Sequence, residues 1–373
     1  MSDPGHGDPS RLDPIQGILE IMERASMTGT NKLGLLLALL DLAPERIDDN
    51  RPIARDELAE RYLGIHWEHA RPYGEIELRH SSPNKVRNDM SVANDTVVMQ
   101  QIHLLRRQLQ EQGRGNLRGQ NLDVVQSRVG GTDWWDQNWD RAIVNTKRSL
   151  WKNPIDKLQN IPGQPKPFLY ESLGQEVKFI PGVAKALTKF AGVLRPLVEF
   201  RFAEVVAKVN KDKLGHLAEY QIHEHLFGSG RSMPSRSMRD DLVEVQDNRC
   251  VYSDVPLDAG RRSLDHVMPW SLTKLSQIEN FVMTTTSANS SKSDSLLGPE
   301  LLDRWLEHLN SRSSQMSQIA EKYSWPSDLA RVCRTSYNIY KALDPTSGVW
   351  QGEGEGILPI GADGIESIEQ LLG

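Results

Sequence analysis

Apolar residues recur at spacings of three and four between Pro14 and about Ala43, first in IQGILEIMERA and then in NKLGLLLALLDLA, which predicts two helices. The polar break PERIDDNRP separates them from IARDELAERYLGIHWEHARPY, where Asp56 is placed to cap a helix carrying Leu58 and Tyr62. Helix, short extended piece, helix is the order of a helix-turn-helix unit, and equally of any small helical domain. NDTVVMQQIHLLRRQLQEQ, from Asn94 to Gln112, predicts a further amphipathic helix closed by GRGNLRGQ. VGGTDWWDQNWDRA then concentrates three of the nine tryptophans near a junction at about residue 130, where packing between domains is their expected role. Beyond the proline-rich NIPGQPKPF, a long helical stretch runs from VAKALTKF to HEHLF and is broken by FGSGRSMPSRSM.

After residue 245 the pattern turns short and irregular. NRCVYS and RSLDHV read as two brief extended pieces joined by a glycine-containing loop, and a helix starting near Thr285 or Thr286 takes in Ala288, Asn289 and Lys292. The order there is strand, strand, helix. Polar residues sit on apolar flanks in this stretch, in LDHVMPW and IENFVM, where a plain core element has no use for them.

Composition changes this picture in two places. With 373 residues, 38% of them hydrophobic and 25% charged, the chain has material for two or three domains with cores of their own. The net charge of −6 is unevenly spread: from Arg141 to Arg239 there are 17 Lys and Arg against 8 Asp and Glu, while after Ser293 there are 12 acidic and 6 basic residues. A basic middle beside an acidic tail allows a polyanion-binding surface, although two differently solvated helical faces give the same count. Two cysteines, Cys250 and Cys333, exclude a disulfide framework. The longest apolar run is too short to span a bilayer and the first residues resemble no signal peptide, so a cytoplasmic protein without a membrane partner is expected.

His66 and His69 share a helix face at a spacing of three, yet no carboxylate or cysteine set accompanies them, so metal binding is not expected there. His223 and His225, two apart, point to different helix faces and are expected at the surface.

Asp265, His266, Asn280, Asn289 and Lys292 form a set with a chemistry of its own. A carboxylate oxygen and an amide oxygen are hard ligands suited to Mg2+ or Mn2+, which bind substrate phosphate directly. A neutral imidazole takes a proton from water near neutral pH, an amide can hold the imidazole's loop, and a lysine adds charge toward a phosphate. Phosphodiester hydrolysis uses every member.

These residues resemble an HNH endonuclease motif of the ββα-metal type. DHVMPWSLTKLSQIENFVMTTTSANSSKSD is similar to the HNH domain of the RNA-guided CRISPR effector nucleases, and CVYSDVPL resembles the strand and loop that precede it. More widely, NKLGLLLALLDLA, HLFGSGR, LVEVQDNRCVYS and LLDRWLEHL resemble bacterial stand-alone HNH proteins of anti-phage defence and restriction. The resemblance implies metal ligands at Asp265 and Asn289, a general base at His266, a loop-positioning residue at Asn280 and a supporting base at Lys292. Arg231 in FGSGR resembles a recurring arginine of the wider group, and Arg231 and Arg262 are the candidate nucleic-acid contacts. Many relatives carry a structural zinc on two cysteine pairs. Here Cys250 is followed by Ser253, and Thr285 and Ala288 stand for the second pair, so no such zinc is expected and packing by Val251, Leu257, Leu264, Val267, Phe281 and Val282 must replace it.

The expectation is therefore a mainly α (α+β) chain. Residues 1–14 lack structure, 15–130 form a helical domain with a helix-turn-helix-like pattern, and 131–225 a basic helical middle region. Residues 226–312 form the ββα-metal HNH nuclease domain and 313–373 an acidic extension. The expected function is a metal-dependent DNA endonuclease or nickase acting on double-stranded DNA, with other components of a defence system as partners. The alternative is a DNA-binding protein or helix-turn-helix regulator with a degenerate HNH fold.

Overall fold

The two N-terminal helices are α1 (Pro14–Arg24) and α2 (Asn31–Leu42). The computed structural model describes residues 12–24, 27–47, 51–82, 95–161, 166–214, 219–228 and 232–372, and these are mainly helical. Of the stretch expected to lack structure, residues 1–11 lie outside the described ones. Asp13 does have a place: its Oδ1 accepts from the backbone N–H groups of Ile15 and Gln16 and caps α1. Every residue of α2 from Leu33 to Leu42 is buried. A helix apolar on all sides belongs at the centre of a core, and its one acid, Asp41, is buried in an ion pair with Arg195.

The chain separates into two compact units, residues 1–125 with 129–231, and residues 232–373 with 126–128. The first unit continues with α3 (Arg55–His69), α4 (Val97–Glu111), α5 (Leu122–Val129, whose last turn crosses the division), α6 (Asp133–Lys152), α7 (Pro154–Lys157), α8 (Val183–Lys189), α9 (Ala191–Val209), α10 (Lys211–Leu214) and α11 (Glu219–Phe227). The extended piece before α3 is β1 (Ile53–Ala54), which pairs antiparallel with β3 (Glu176–Phe179); β3 also pairs with β2 (Tyr170–Ser172). One hydrophobic core runs from Ile18 to Leu226, so the segments 15–130 and 131–225 share a single interior. Of the tryptophans of α6, Trp135 lies inside it, edge-on to Trp67 and stacked on Trp139, while Trp134, Trp139 and Trp151 pack against it partly buried.

The second unit holds α12 (Arg236–Val245), β4 (Arg262–His266), α13 (Trp270–Thr273), β5 (Phe281–Thr285), α14 (Thr286–Lys292), α15 (Pro299–Tyr323), α16 (Leu329–Lys341), the hairpin β6 (Gly348–Trp350) and β7 (Ile357–Pro359), and α17 (Gly361–Leu372). NRCVYS is a turn and not a strand. Asp247, Asn248 and Asp254 adopt left-handed backbone, the Asp254 N–H donates to the Cys250 carbonyl, and an Arg249–Asp254 ion pair closes the loop. The strand partner of β4 is β5, read from the sequence only as a source of core residues; Leu264 pairs with Met283 and Asp265 with Val282. The strand, strand, helix order thus stands one strand further along, as β4, β5 and α14.

Residues 313–373 are part of this unit and not an appendage. The Trp325 indole donates to the Ser276 carbonyl, the Ile278 N–H to the Pro326 carbonyl, and the Trp350 indole to the Ser291 hydroxyl on α14. Among the described residues no helix is long and apolar enough to cross a membrane.

Candidate functional site at the end of β4

The antiparallel pairing of β4 with β5 ends at His266, opposite Phe281. Ser263 and Asp265, two apart, face the same side of β4. Asn289 and Lys292, three apart, face the same side of α14. The two elements meet through those pairs: Asn289 Nδ2 donates to Ser263 Oγ at 2.8 Å, and Lys292 Nζ lies 3.0 Å from Asp265 Oδ2. α14 is therefore laid along one face of β4, with Asn289 one side-chain position back from Asp265. The helix starts where it does because Thr285 caps it, its hydroxyl accepting from the Ala288 N–H at 3.0 Å. It stops at Ser293, whose φ of 51° is left-handed.

Asp265 is buried, and burial is the largest influence on its carboxyl, raising it above the ordinary carboxylate range. Lys292 opposes that shift, together with the Tyr252 hydroxyl, which donates to Asp265 Oδ2 at 2.6 Å, and the His266 N–H. Tyr252 is itself pushed far above the usual phenol range by burial and by Asp265, so it stays a donor. Lys292 is completely buried, and its ammonium also donates to the His266 carbonyl at 2.9 Å. Spent on these two partners, it is not placed to meet a phosphate as the sequence suggested; it clamps the Asp265–His266 peptide instead.

The His266 ring lies 4.5 Å from the Phe281 ring and 5.5 Å from that of Trp270, centre to centre, which leaves 8% of the residue exposed. The loop that follows is held by Asn280. Its Oδ1 accepts from the Met268 N–H at 2.7 Å, its Nδ2 donates to the Met268 carbonyl at 3.0 Å and to the Leu275 carbonyl at 3.3 Å, and its own carbonyl accepts from the Val267 N–H. Both faces of one amide are used to fix the segment leaving His266.

Asp265, His266, Asn280 and Lys292 thus meet at the end of β4, while Asn289 lies further back, against Ser263. Arg262, at the start of the strand, is paired with Asp240 on α12. Arg231 lies outside the described residues. Of the packing residues expected in place of a zinc, Leu264, Val267, Phe281 and Val282 are buried, while Val251 and Leu257 are only partly so. The Cys250 sulfur lies 3.0 Å from the Thr284 hydroxyl. Sequence reasoning missed Tyr252 and Gln246; the Gln246 side chain donates to the Met283 carbonyl and accepts from the Met283 N–H, tying α12 to β5. The only available signal for either was a polar group beside apolar residues.

No protein-family model, no curated protein and no solved structure matches this chain.

Proposed function

We propose that the chain is a metal-dependent DNA endonuclease or nickase of the HNH type, working in anti-phage defence or restriction. The observation that supports this best is the placement of Asp265, His266, Asn280, Asn289 and Lys292 along one strand and the loop and helix packed on it, in a strand-strand-helix unit.

The donor set fits Mg2+ or Mn2+. It offers one carboxylate and one amide oxygen, and Asn289 gives its Nδ2 to Ser263, leaving the amide oxygen for a ligand. Asp265 Oδ2 is already shared by Tyr252 and Lys292, so its other oxygen is the one for a cation. A bound divalent ion would supply charge stabilisation at the leaving 3′ oxygen. His266 takes the proton of a water whose oxygen bonds to phosphorus, while the P–O3′ bond breaks. The products are a 5′-phosphate and a 3′-hydroxyl. Asn280 keeps the segment after the imidazole in place, and Lys292 opposes the upward shift that burial imposes on the Asp265 carboxyl.

The test is incubation of the full chain with supercoiled plasmid and Mg2+ or Mn2+. Relaxed or linear product that stops with EDTA, and that His266→Ala no longer makes, is the expected result. Cleavage unchanged in His266→Ala would overturn the mechanism, and sequence-confined binding without nicking would favour the DNA-binding alternative.

A further inference from the structure

His66 and His69 on α3 do not stand alone. The loop carrying His80 returns against them, and ring nitrogens of the three residues lie within 4.8 Å of one another. The loop is sewn in place: the His80 N–H donates to the Asp95 carboxylate, its carbonyl accepts from the Thr30 N–H, and Gly29 bridges Ser81. All three histidines are buried. His66 Nδ1 lies 2.9 Å from the Tyr62 carbonyl, which can only accept, so this nitrogen carries the proton and Nε2 keeps a lone pair. His80 Nδ1 lies 3.3 Å from the Thr30 hydroxyl.

Three buried ring nitrogens remain without a well-formed hydrogen bond, His66 Nε2, His69 Nδ1 and His80 Nε2, and the His69 backbone also approaches the His80 ring. A buried polar atom without a partner costs about 1–3 kcal/mol. Three buried imidazoles, each with such an atom and with ring nitrogens within 4.8 Å of one another, call for a shared occupant. Burial first, with neighbouring imidazoles, lowers all three rings from their ordinary value. Neutral imidazole is the form that ligates metal.

The walls are apolar and close. The Phe202 ring centre is 4.8–5.7 Å from each imidazole, and that of Phe227 is 4.7 Å from His69. Gly34 of α2 makes room for the cluster, since a Cβ there would sit 2.3 Å from His66 Cε1.

We propose that His66, His69 and His80 form a structural site for a borderline divalent transition metal of the zinc class, inside the first unit. The anchoring of His66 Nδ1 on a carbonyl is the arrangement that orients a metal-bound imidazole. Nitrogen ligands exclude Mg2+ and Ca2+ as preferred occupants, and a closed apolar cage excludes a substrate. Zn–N bonds of about 2.0–2.1 Å place tetrahedral nitrogens about 3.3 Å apart, so binding draws the rings inward and staples α3 to the His80 loop. The site is separate from the Asp265–His266 residues and does not depend on the nuclease reading.

The test uses the untagged full chain. Elemental analysis after dialysis against Zn2+ should find about one zinc per chain in the parent and in Asp265→Ala, and a large loss in His69→Phe and His80→Phe. Metal-stripped parent protein titrated with Co2+ should develop the visible absorption of cobalt bound by three imidazoles and a water in a four-coordinate site, and Zn2+ should bleach it. This second measurement does not depend on a variant's folding. A parent chain that retains no zinc and stays colourless with Co2+ overturns the proposal, and the three nitrogens then share a trapped water.

Discussion

Lys292 and Asp265 form a buried ion pair, Nζ to Oδ2 at 3.0 Å, with Lys292 wholly inaccessible to solvent. Such a pair contributes little net stability compared with an apolar replacement, because both ions lose their hydration. Its place at the end of β4 is explained by what it does to the backbone: the same ammonium holds the His266 carbonyl, so the charge that opposes the upward shift of the Asp265 carboxyl also fixes where His266 begins.

Removing one partner leaves the other buried and uncompensated. Lys292→Met should therefore lower stability by about 3–5 kcal/mol, read as a lower denaturant midpoint for the second unit. Adding Asp265→Asn should recover part of the loss, because the two substitutions couple. Equal and additive losses in the single and double variants would mean that the pair is not the interaction that matters.

Asn289 is where the proposed metal use can be told apart from folding. It is partly exposed and makes one side-chain hydrogen bond to Ser263. Asn289→Ala should leave the melting temperature nearly unchanged while raising the Mg2+ or Mn2+ concentration needed for half-maximal plasmid nicking by tenfold or more, on the order of 1.4 kcal/mol. Asn289→Asp, which restores an oxygen ligand, should need less metal than Asn289→Ala. Identical metal dependence in all three proteins would remove this residue from the ligand set.

Asn280 is a loop residue whose contribution is structural first. Asn280→Ala leaves the Met268 N–H and the Met268 and Leu275 carbonyls without their partner, each at about 1–3 kcal/mol if water cannot replace it. Asn280→Asp keeps the acceptor for the Met268 N–H and loses both donors. Amide exchange should quicken across residues 267–275 in both variants, and nicking should fall with it. Protection that stays at the parent level in Asn280→Ala would show that the loop is held by something else.

Much of this site was legible in the sequence because it depends on short-range periodicity. Alternation along a strand puts Asp265 and His266 on opposite faces, and a spacing of three puts Asn289 and Lys292 on one helix face. The turn at Cys250–Asp254 was misread as a strand because Val251 and Tyr252 have the composition of one, while the left-handed Asx residues that close it leave no hydrophobic pattern. Tyr252 as partner of Asp265, and His80 as the third member of the histidine cluster, were illegible for another reason. Each contact joins residues more than ten positions apart through an irregular segment, and no period carries that information.

Residues 313–373 looked like an acidic extension for the same reason, since the packing of Trp325 on Phe281 is invisible to charge counting. Trp325→Ala removes a buried indole that also satisfies the Ser276 carbonyl, and should cost about 3–5 kcal/mol. A chain ending at residue 312 should lose the cooperative unfolding transition of the second unit. An unaltered transition in either protein would return this segment to the status of an appendage.

His308 on α15 gives the second unit a pH response away from the candidate site. It lines a cleft of about 460 Å³ with Asp247, Arg249, Asp254, Arg304, Glu307 and Arg312. Burial first, and then Arg312, lower its imidazole from 6.5 to about 4, with Asp247 opposing. The unfolded chain therefore binds a proton more readily than the folded one between these two values. Stability from this residue is complete above about pH 6.5 and is lost as pH falls toward 4. A fully buried group would contribute about 1.4 kcal/mol per pH unit; solvent screening of a partly exposed one reduces the total to about 1–3 kcal/mol. Denaturant midpoints of the second unit measured between pH 7.5 and 4 should fall more steeply for the parent than for His308→Leu, which has no proton to take up. Parallel slopes for the two proteins would show that this imidazole titrates alike in the folded and unfolded states.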